Sequence, residues 1–270
     1  MVSLAIDRLG LNSVSRFDPN ERIIDWKCKQ QDPPLLSMTV KEFINILGAR
    51  TSAPGGGSAS ALAAAMGTGL GAMMGWMSYG SIKFLDLDPI MRKNIKPLHD
   101  ATQKLMYRID ADTDAFTEFQ VGMRLPKGTE EEKKIRNDAM QKGLKTAIDV
   151  PLATMKIANM CWDCMIELAK VGNINSKSDL QVGECALAQL QMSDLTFYTF
   201  YLLNLKNNLS VVIGARCLEV GIWGCFKNVE INMLDIQDED YKRVTMREAR
   251  EIADQAKEMC DKVLEILDGR

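Results

Sequence analysis

A glycine-rich loop, with the sequence APGGGS at residues 53–58, leads into a stretch that carries no charged side chain as far as Ile82. Three consecutive glycines permit backbone conformations that are closed to residues with a Cβ atom. Ser58 is a residue type that caps helix N-termini, where unpaired amides attract an anion or a developing oxyanion. The small residues after the loop allow a second backbone or a ligand to approach closely. The sequence therefore predicts a closely packed helix that begins at a candidate anion-binding loop.

The same uncharged stretch raises the question of a membrane-spanning helix, because Gly67, Gly71 and Gly75 form a GxxxGxxxG row. The stretch is rich in Gly, Ala, Ser and Thr rather than in Leu, Ile and Val, so its transfer into lipid is unfavourable. We therefore predict a helix buried within the protein and no membrane span. The glycine row then indicates close helix–helix packing.

Composition narrows the classes of function. The net charge of −3 argues against a general nucleic-acid-binding protein. Seven cysteines, an odd number in a chain that shows no secretory signal, indicate reduced thiols and a cytoplasmic location. The single histidine, His99, excludes a zinc site built from several histidines and leaves a Ser-His-Asp system dependent on that one residue.

Helix start signals recur along the chain, while no convincing run of alternating strand residues is present. Thr39, Thr129 and Thr245 are each followed three residues later by Glu, which is the spacing of a capping box. Asp88 precedes a proline, as a capping residue before the first helical position, and predicts a helix that extends to about Gly122.

Two prolines bear on these helices. We expect Pro97 to kink the helix that contains it, and Pro151 to begin a new helix after the preceding one has ended near Ile148. The new helix ends near Gly172. The predicted elements together indicate an all-α fold, a multi-helix layered bundle.

An acidic motif, DADTDAF at residues 110–116, lies within one of the predicted helices. Apolar side chains at positions 105, 109, 116 and 119 line one helix face, and Asp112 falls on it, whereas Asp110 and Asp114 share another face. A carboxyl group held in a low-dielectric wall has a raised pKa, which suits proton transfer near neutral pH. The alternative is a structural aspartate paired with a cation or a backbone amide.

Two further sequence patterns, a partial EF-hand motif and a CxxC motif, are rejected as a calcium site and a redox site. The three aspartates match the start of an EF-hand loop, but Ala115 and Val121 stand where that loop needs Gly and Glu. Cys161 and Cys164 have redox spacing, but they lie inside a predicted helix without a βαβ context, so we interpret them as core thiols.

Two polar segments are candidates for ligand binding. Lys127 opens a region rich in basic residues up to Lys145, which either is a solvated helix face or attracts a polyanionic substrate. The segment NINSKSD at residues 173–179 is dense in hydrogen-bonding groups directly before a predicted helix, and it serves either as a capping loop or as a binding loop.

Several motifs in one order resemble the cyclodeaminase domain of the formimidoyltransferase-cyclodeaminase family. The match extends from about residue 37 to residue 182 and resumes from about residue 214 to the end. Residues 4–26 resemble the segment that joins the transferase half of such enzymes to the deaminase half. The motifs are GARTSAPGGGS at 48–58, MSYG at 77–80, DADTDAF at 110–116, LPK at 125–127, VPL at 150–152, GNI at 172–174 and SDLQV at 178–182.

The resemblance implies a domain organisation and an activity. Residues 1–34 are interpreted as the remnant of an interdomain linker, and residues 35–270 as a cyclodeaminase domain. The implied reaction closes 5-formimidoyltetrahydrofolate to 5,10-methenyltetrahydrofolate and releases ammonia, with no cofactor beyond the tetrahydrofolate substrate and no metal. The implied partners are folate, with or without a polyglutamate tail, further copies of the chain in a homodimer or larger homo-oligomer, and a transferase domain in the parent bifunctional enzyme.

The resemblance also implies the site. It places the family's catalytic aspartate on Asp112, which the pattern of apolar residues along the helix also indicates. Asp114 is a candidate for supporting the protonation state of Asp112. We expect Asp112 to carry the proton between the two reacting nitrogens. The candidate substrate-binding residues are Gly55, Gly56, Gly57, Ser58, Lys127, Asn175 and Asp179.

The sequence departs from the family pattern at residues 184–213, which stand as an insertion where a helix is expected to continue. Their composition matches neither flank, so we interpret them as an unspliced or mispredicted segment. Two alternatives to the deaminase remain open at this point. One is methenyltetrahydrofolate cyclohydrolase activity, and the other is a non-catalytic truncated isoform that only assembles with full-length subunits.

Overall fold

A computed structural model describes residues 33–172 and 209–270, together with residues 6, 8–13, 17 and 22. The chain divides into two units, Met1–Ser37 and Met38–Arg270. The predicted domain boundary after residue 34 stays a prediction. The predicted insertion lies outside the described residues except for its last five positions, which belong to a helix.

Local hydrogen bonds shape the described parts of the first unit. The backbone N–H of Leu11 donates to the carbonyl of Ile6 at 3.0 Å, and that of Ser13 donates to the carbonyl of Gly10, also at 3.0 Å. Gly10 has a φ of 62°, a left-handed conformation that favours glycine. These residues therefore form a tight turn.

The second unit is helical. The residues that the structure describes contain no β-strand, which confirms the prediction of an all-α fold. Short 3₁₀ helices occupy Ile82–Leu87 and Met233–Asp235. The α-helices are α1 (Val40–Leu47), α2 (Gly56–Ser78), α3 (Asp88–Met123), α4 (Glu130–Asn159), α5 (Trp162–Val171), α6 (Leu209–Asn232) and α7 (Glu239–Asp268).

Helix starts follow local capping chemistry where the cap is a threonine with Glu three residues later. Complete capping boxes at Thr39 and Thr129 begin α1 and α4, as predicted. The predicted start at Thr245 is wrong, because Asp238 caps α7 by accepting a hydrogen bond from the backbone N–H of Tyr241 at 3.0 Å, and Thr245 is buried within the helix. The threonine–glutamate spacing at Thr245 therefore lies inside α7 and does not mark its start.

Asp88 is the first residue of α3 and not its cap. Its carboxylate instead accepts the backbone N–H of Gly80 at 3.0 Å, so it holds the turn that precedes the helix. The helix ends at Met123, close to the predicted end, and it contains Pro97.

The prediction that Pro151 begins a new helix is wrong, since α4 continues through it. A proline inside a helix has no N–H and leaves the carbonyl four residues earlier without its usual donor. Here that carbonyl belongs to Ala147, and it accepts a hydrogen bond from Nδ2 of Asn232 at 3.0 Å. Buried Ile148 and Met155 on either side of the proline show that the core face of α4 runs on without interruption. A side chain from α6 and tertiary packing therefore replace the lost local bond.

Close backbone packing around α2 organises the unit. A Cβ atom on Gly67 would lie 2.7 Å from the carbonyl oxygen of Gly214 in α6, and one on Gly75 would lie 2.5 Å from Cγ1 of Ile95 in α3. A Cβ atom on Gly71 would overlap the sulfur of Met165 in α5. The row thus packs against three neighbouring helices, as the sequence predicted. Among the described residues, no helix is both long enough and apolar enough to cross a membrane.

We predict that Gly67→Ala lowers the free energy of unfolding by about 1–3 kcal/mol, because the added methyl group meets backbone atoms that cannot move aside. Gly69→Ala, on the same helix, is the control: its nearest atom would be Cγ2 of Thr102 at 3.9 Å, an ordinary contact. Urea unfolding of both variants measures the difference. Equal stability of the two variants would contradict the close packing of α2 against α6.

Candidate active site

The N-terminus of α2 forms one side of the candidate site. Gly55 is the N-cap and Gly56 the first helical residue, so the prediction that Ser58 caps this helix is wrong. Ser58 lies in the first turn, where its Oγ donates to the carbonyl of Ile109 in α3 at 2.8 Å. Gly55 has no side chain with which to cap, and a carboxylate from another helix takes that place.

That carboxylate belongs to Asp112 on α3. Its Oδ2 lies 3.1 Å from Oγ of Ser58, and its Oδ1 accepts a hydrogen bond from Nδ2 of Asn228 on α6 at 3.0 Å. The backbone N–H of Ser58 also hydrogen bonds to the Asp112 carboxylate. The anion that a helix N-terminus attracts is therefore supplied by the protein itself, and the contact joins α2, α3 and α6.

The three glycines of the loop differ in what surrounds them. A Cβ atom on Gly57 would overlap Oδ1 of Asp112 and Nδ2 of Asn228, so only glycine leaves room for this hydrogen bond. Around Gly55 and Gly56 no atom lies within 4 Å of such a Cβ. Gly57 is therefore part of the packing around Asp112, while Gly55 and Gly56 border open space beside it.

Burial raises the pKa of Asp112, and hydrogen bonds oppose the shift. The opposing donors are the hydroxyl and amide of Ser58 and the amide of Asn228, all of which are neutral. Loss of solvent outweighs these bonds, so the pKa stays above its ordinary value. Asp112 does contact a backbone amide, as the structural alternative expected, but burial still shifts its pKa upward.

The neighbouring aspartates are placed differently from each other. Asp110 is 6% exposed, whereas Asp114 is exposed to solvent. The sequence pattern grouped these two on one face and did not predict the burial of Asp110. Because α3 packs against both α2 and α4, more than one of its faces is covered.

Among the other predicted substrate-binding residues that the structure describes, Lys127 is not brought to Asp112. Lys127 is exposed in the turn between α3 and α4, and the helix from Asp112 to Met123 alone spans about 16 Å. Asn175 and Asp179 lie outside the described residues. The structure therefore unites Gly57, Ser58 and Asp112.

Asn228 is the residue that sequence reasoning missed. It follows Gly221 by seven residues and Gly224 by four, so it lies on the small-residue face of α6. That face packs on α2, since a Cβ atom on Gly221 would lie 2.6 Å from the backbone nitrogen of Ala64. An amide side chain among small residues on one helix face is a sequence pattern from which Asn228 could have been predicted as a buried polar contact. Cys225 lies beside it, and burial together with the charge of Asp112 raises the pKa of its thiol.

Three of the six basic residues in the region from Lys127 to Lys145 form ion pairs within the chain. Lys133 pairs with Glu130 at 2.6 Å, Lys142 with Glu118 at 3.0 Å and Lys145 with Asp238 at 2.7 Å. These pairs favour the interpretation of a solvated helix face.

Cys161 and Cys164 are free thiols. Burial raises the pKa of Cys161 to about 12, and it also raises that of Cys164. A thiol with a raised pKa is a poor nucleophile near neutral pH, which agrees with the interpretation of core thiols.

Comparison of the sequence with known protein families identifies the family of this chain. The model of the family described as formiminotransferase-cyclodeaminase matches residues 39–196. The chain belongs to the formiminotransferase-cyclodeaminase family. The matched residues include the glycine loop and Asp112.

Relatives differ in how much of their length the chain covers. Formimidoyltransferase-cyclodeaminase from Dictyostelium discoideum is 46% identical over 272 residues, which cover all of this chain and 44% of that protein. The chain thus spans less than half of that relative. Methenyltetrahydrofolate cyclohydrolase from Methylorubrum extorquens is 32% identical over 161 residues, covering 59% of this chain and 77% of that protein.

A solved structure shares the fold. The crystal structure of formiminotetrahydrofolate cyclodeaminase from Thermotoga maritima superimposes with a TM-score of 0.65. The match covers 86% of this chain and 97% of that one, at 21% sequence identity. The helical arrangement is therefore that of a known fold.

The raised pKa of Asp112 predicts a dependence of stability on pH. A carboxyl group whose pKa is higher in the folded chain contributes most below its ordinary pKa of 3.8, and the contribution is lost as the pH rises through the folded-state value. The free energy of unfolding of Asp112→Asn, minus that of the unsubstituted protein, should therefore be larger at about pH 8 than at about pH 4. Urea unfolding at both pH values measures this, with Asp138→Asn, at an exposed position on α4, as the control. A difference independent of pH would contradict the raised pKa.

Proposed function

We propose that this chain converts 5-formimidoyltetrahydrofolate to 5,10-methenyltetrahydrofolate and ammonia. The observation that carries the proposal is the carboxyl group of Asp112, half-buried, with a raised pKa, beside the open end of a glycine loop in a member of this family. A raised pKa brings the carboxyl group closer to the neutral range in which acid–base catalysis is most effective.

The reaction needs one proton to change place. N10 of the folate attacks the formimidoyl carbon, a bond forms between them, and the bond from that carbon to the departing nitrogen breaks. If the formimidoyl group begins protonated, the proton that N10 loses is the one that the departing nitrogen gains. Asp112 carries that proton, so the atoms and charges balance without a metal or a redox cofactor.

The remaining candidates take supporting roles in this proposal. The amide and hydroxyl of Ser58 already bond to Asp112, so Ser58 acts through that carboxyl group. Gly55 and Gly56, which border open space, are proposed to hold the pterin or the glutamyl tail through their backbone amides. Lys127 is proposed to bind a carboxylate of the glutamyl tail, and Asp114 to support the protonation state of Asp112.

Asn175 and Asp179, which follow α5 in the sequence, are proposed to hold the pterin or the glutamyl tail. The chain is similar along its whole length to a relative whose name couples a transferase to the cyclodeaminase, so we propose a transferase domain as a partner. Free thiols at Cys161, Cys225 and Cys260 support a cytoplasmic location.

The deaminase is favoured over the cyclohydrolase by the extent of similarity. The relative named for cyclodeaminase aligns with all of this chain at 46% identity, whereas the cyclohydrolase aligns with 59% of it at 32%. Asp112 also accepts hydrogen bonds from Ser58 and Asn228. A non-catalytic isoform that only assembles with full-length subunits does not require this arrangement.

We also propose that the chain forms a homo-oligomer. One face of α2 carries exposed apolar side chains, among them Met66, Trp76 (56% exposed) and Met77. Large apolar groups that share one helix face mark interaction sites. Lys96 and Asp100 border this face with opposite charges, as suits a surface that meets its own copy.

The activity is tested by adding formimidoyltetrahydrofolate and following both the methenyl chromophore and ammonia. Asp112→Asn should lose about 10²–10⁴-fold in rate, since it cannot carry the proton, while the helical content stays unchanged. Asp138→Asn, at an exposed position on α4, should keep most of the activity. An active Asp112→Asn variant would refute the assignment. Consumption of methenyltetrahydrofolate, with no ammonia formed from the formimidoyl compound, would favour the cyclohydrolase.

The oligomer is tested by light scattering of Trp76→Glu. A charge on this face should shift the mass towards the monomer, because burying it at an interface is unfavourable. Ile135→Glu, at an exposed position on α4, is the control and should leave the mass unchanged. Equal masses for both variants and the unsubstituted protein would exclude α2 from the interface.

A further inference from the structure

The two oxygens of Asp112 meet different kinds of donor. Oδ1 faces Nδ2 of Asn228 at 3.0 Å, and Oδ2 faces Oγ of Ser58 at 3.1 Å. An amide nitrogen can only donate a hydrogen bond, whereas a hydroxyl group can donate or accept. The carboxyl group is therefore held asymmetrically, with one oxygen fixed as an acceptor and the other free to act as either.

The surroundings of Ser58 allow its hydroxyl to serve both states of Asp112. Besides Oδ2, its Oγ lies 2.8 Å from the carbonyl oxygen of Ile109 and 3.2 Å from Oγ1 of Thr113. When Asp112 is charged, Ser58 donates its hydrogen to Oδ2. When Oδ2 carries a proton, Oδ2 donates to Ser58, and Ser58 turns its own hydrogen to the carbonyl of Ile109. No buried polar group is left without a partner in either state.

The donors around Asp112 are neutral, so the carboxyl group is free to change its charge. The helix α2 contains no titratable residue between Gly56 and Ser78. On α6 the nearby titratable group is the thiol of Cys225, which burial keeps protonated.

On α3 itself, Asp110 and Asp114 flank Asp112 by two residues in each direction. From α4, Lys142 reaches α3 and is paired with Glu118 at 3.0 Å. Arg108 lies one turn before Asp112 on α3, and Lys227 on α6 is paired with Glu230 at 2.7 Å. The raised pKa of Asp112 is caused by burial, opposed by the neutral hydrogen bonds of Ser58 and Asn228, and not by these charges.

We propose that Asn228 is a positioning residue for Asp112: it fixes Oδ1 as an acceptor and so directs the exchangeable proton to Oδ2, where the hydroxyl of Ser58 reverses its hydrogen bond as that proton leaves and returns. The catalytic use of this arrangement rests on the proposed cyclodeaminase function. The placement of the proton does not, because it is a property of the resting protein. After Oδ2 has given its proton to the departing nitrogen, Ser58 stabilises the new carboxylate.

The test is a titration of the Asp112 carboxyl carbon by NMR in the full chain labelled with ¹³C at aspartate. Asn228→Leu removes a donor that binds the charged carboxylate more strongly than the neutral carboxyl group, so the midpoint should move up by roughly one pH unit. Ser58→Ala should move it less, because that hydroxyl serves both forms and the Ser58 amide remains. A shift from Ser58→Ala as large as that from Asn228→Leu would overturn the reversal at Ser58.

Asn232→Leu is the matched control. Asn232 lies on the same helix and donates a hydrogen bond of the same length, 3.0 Å, to the carbonyl of Ala147 rather than to Asp112. It should leave the Asp112 midpoint unchanged. An unchanged midpoint in folded Asn228→Leu, or an equal shift in Asn232→Leu, would overturn the role of Asn228.

A second variant covers the case in which Asn228→Leu does not fold. Asn228→Asp keeps the size of the side chain and places a second carboxyl group against Oδ1, which should give two coupled titrations with the Asp112 midpoint raised. An unraised midpoint would again overturn the proposal. If the midpoints move as expected but the protein releases no ammonia, the cyclodeaminase function fails and the positioning role stands.

Discussion

A carboxylate seated on a helix N-terminus is the contact on which the rest of this structure depends. Asp112 of α3 accepts hydrogen bonds from Ser58 at the start of α2 and from Asn228 of α6, so a single group fixes three helices relative to one another. Taking a carboxylate out of water is costly unless donors replace the solvent. Three neutral donors and the helix dipole replace part of the lost solvation, and only a glycine at position 57 leaves them the necessary room.

The small residues of α2 follow from the same constraint. For the N-terminus of α2 to reach Asp112, its backbone must lie close to those of α3 and α6, and the row Gly67, Gly71 and Gly75 permits this approach. The outward face of α2 is then left to large side chains such as Trp76 and Met77. One helix thus presents its first turn to the candidate site and an apolar face to solvent, which links the proposed catalysis and the proposed assembly through a single element.

The neutrality of the site is as informative as its burial. A neighbouring cation would hold Asp112 ionised and lower its pKa, which would make it a structural ion-pair partner. Neutral donors instead support the charged form without preventing protonation, and this balance is what a proton carrier needs. The acidic motif and the family resemblance identify Asp112 from the sequence, but the balance around it depends on the packing of α2 and α6 beside α3.

The sequence by itself determined the features that depend on neighbouring residues. The capping boxes at Thr39 and Thr129, the helical class and the family motifs around Asp112 could all be predicted, since each is local or is carried by a pattern of residues along the chain. Tertiary structure decided the rest. The helix α4 continues through Pro151 because a side chain of α6 replaces the missing bond, and Asn228 reaches Asp112 across a separation of 116 residues. No local pattern specifies such a partner, because the contact exists only after close packing has brought two distant helices together.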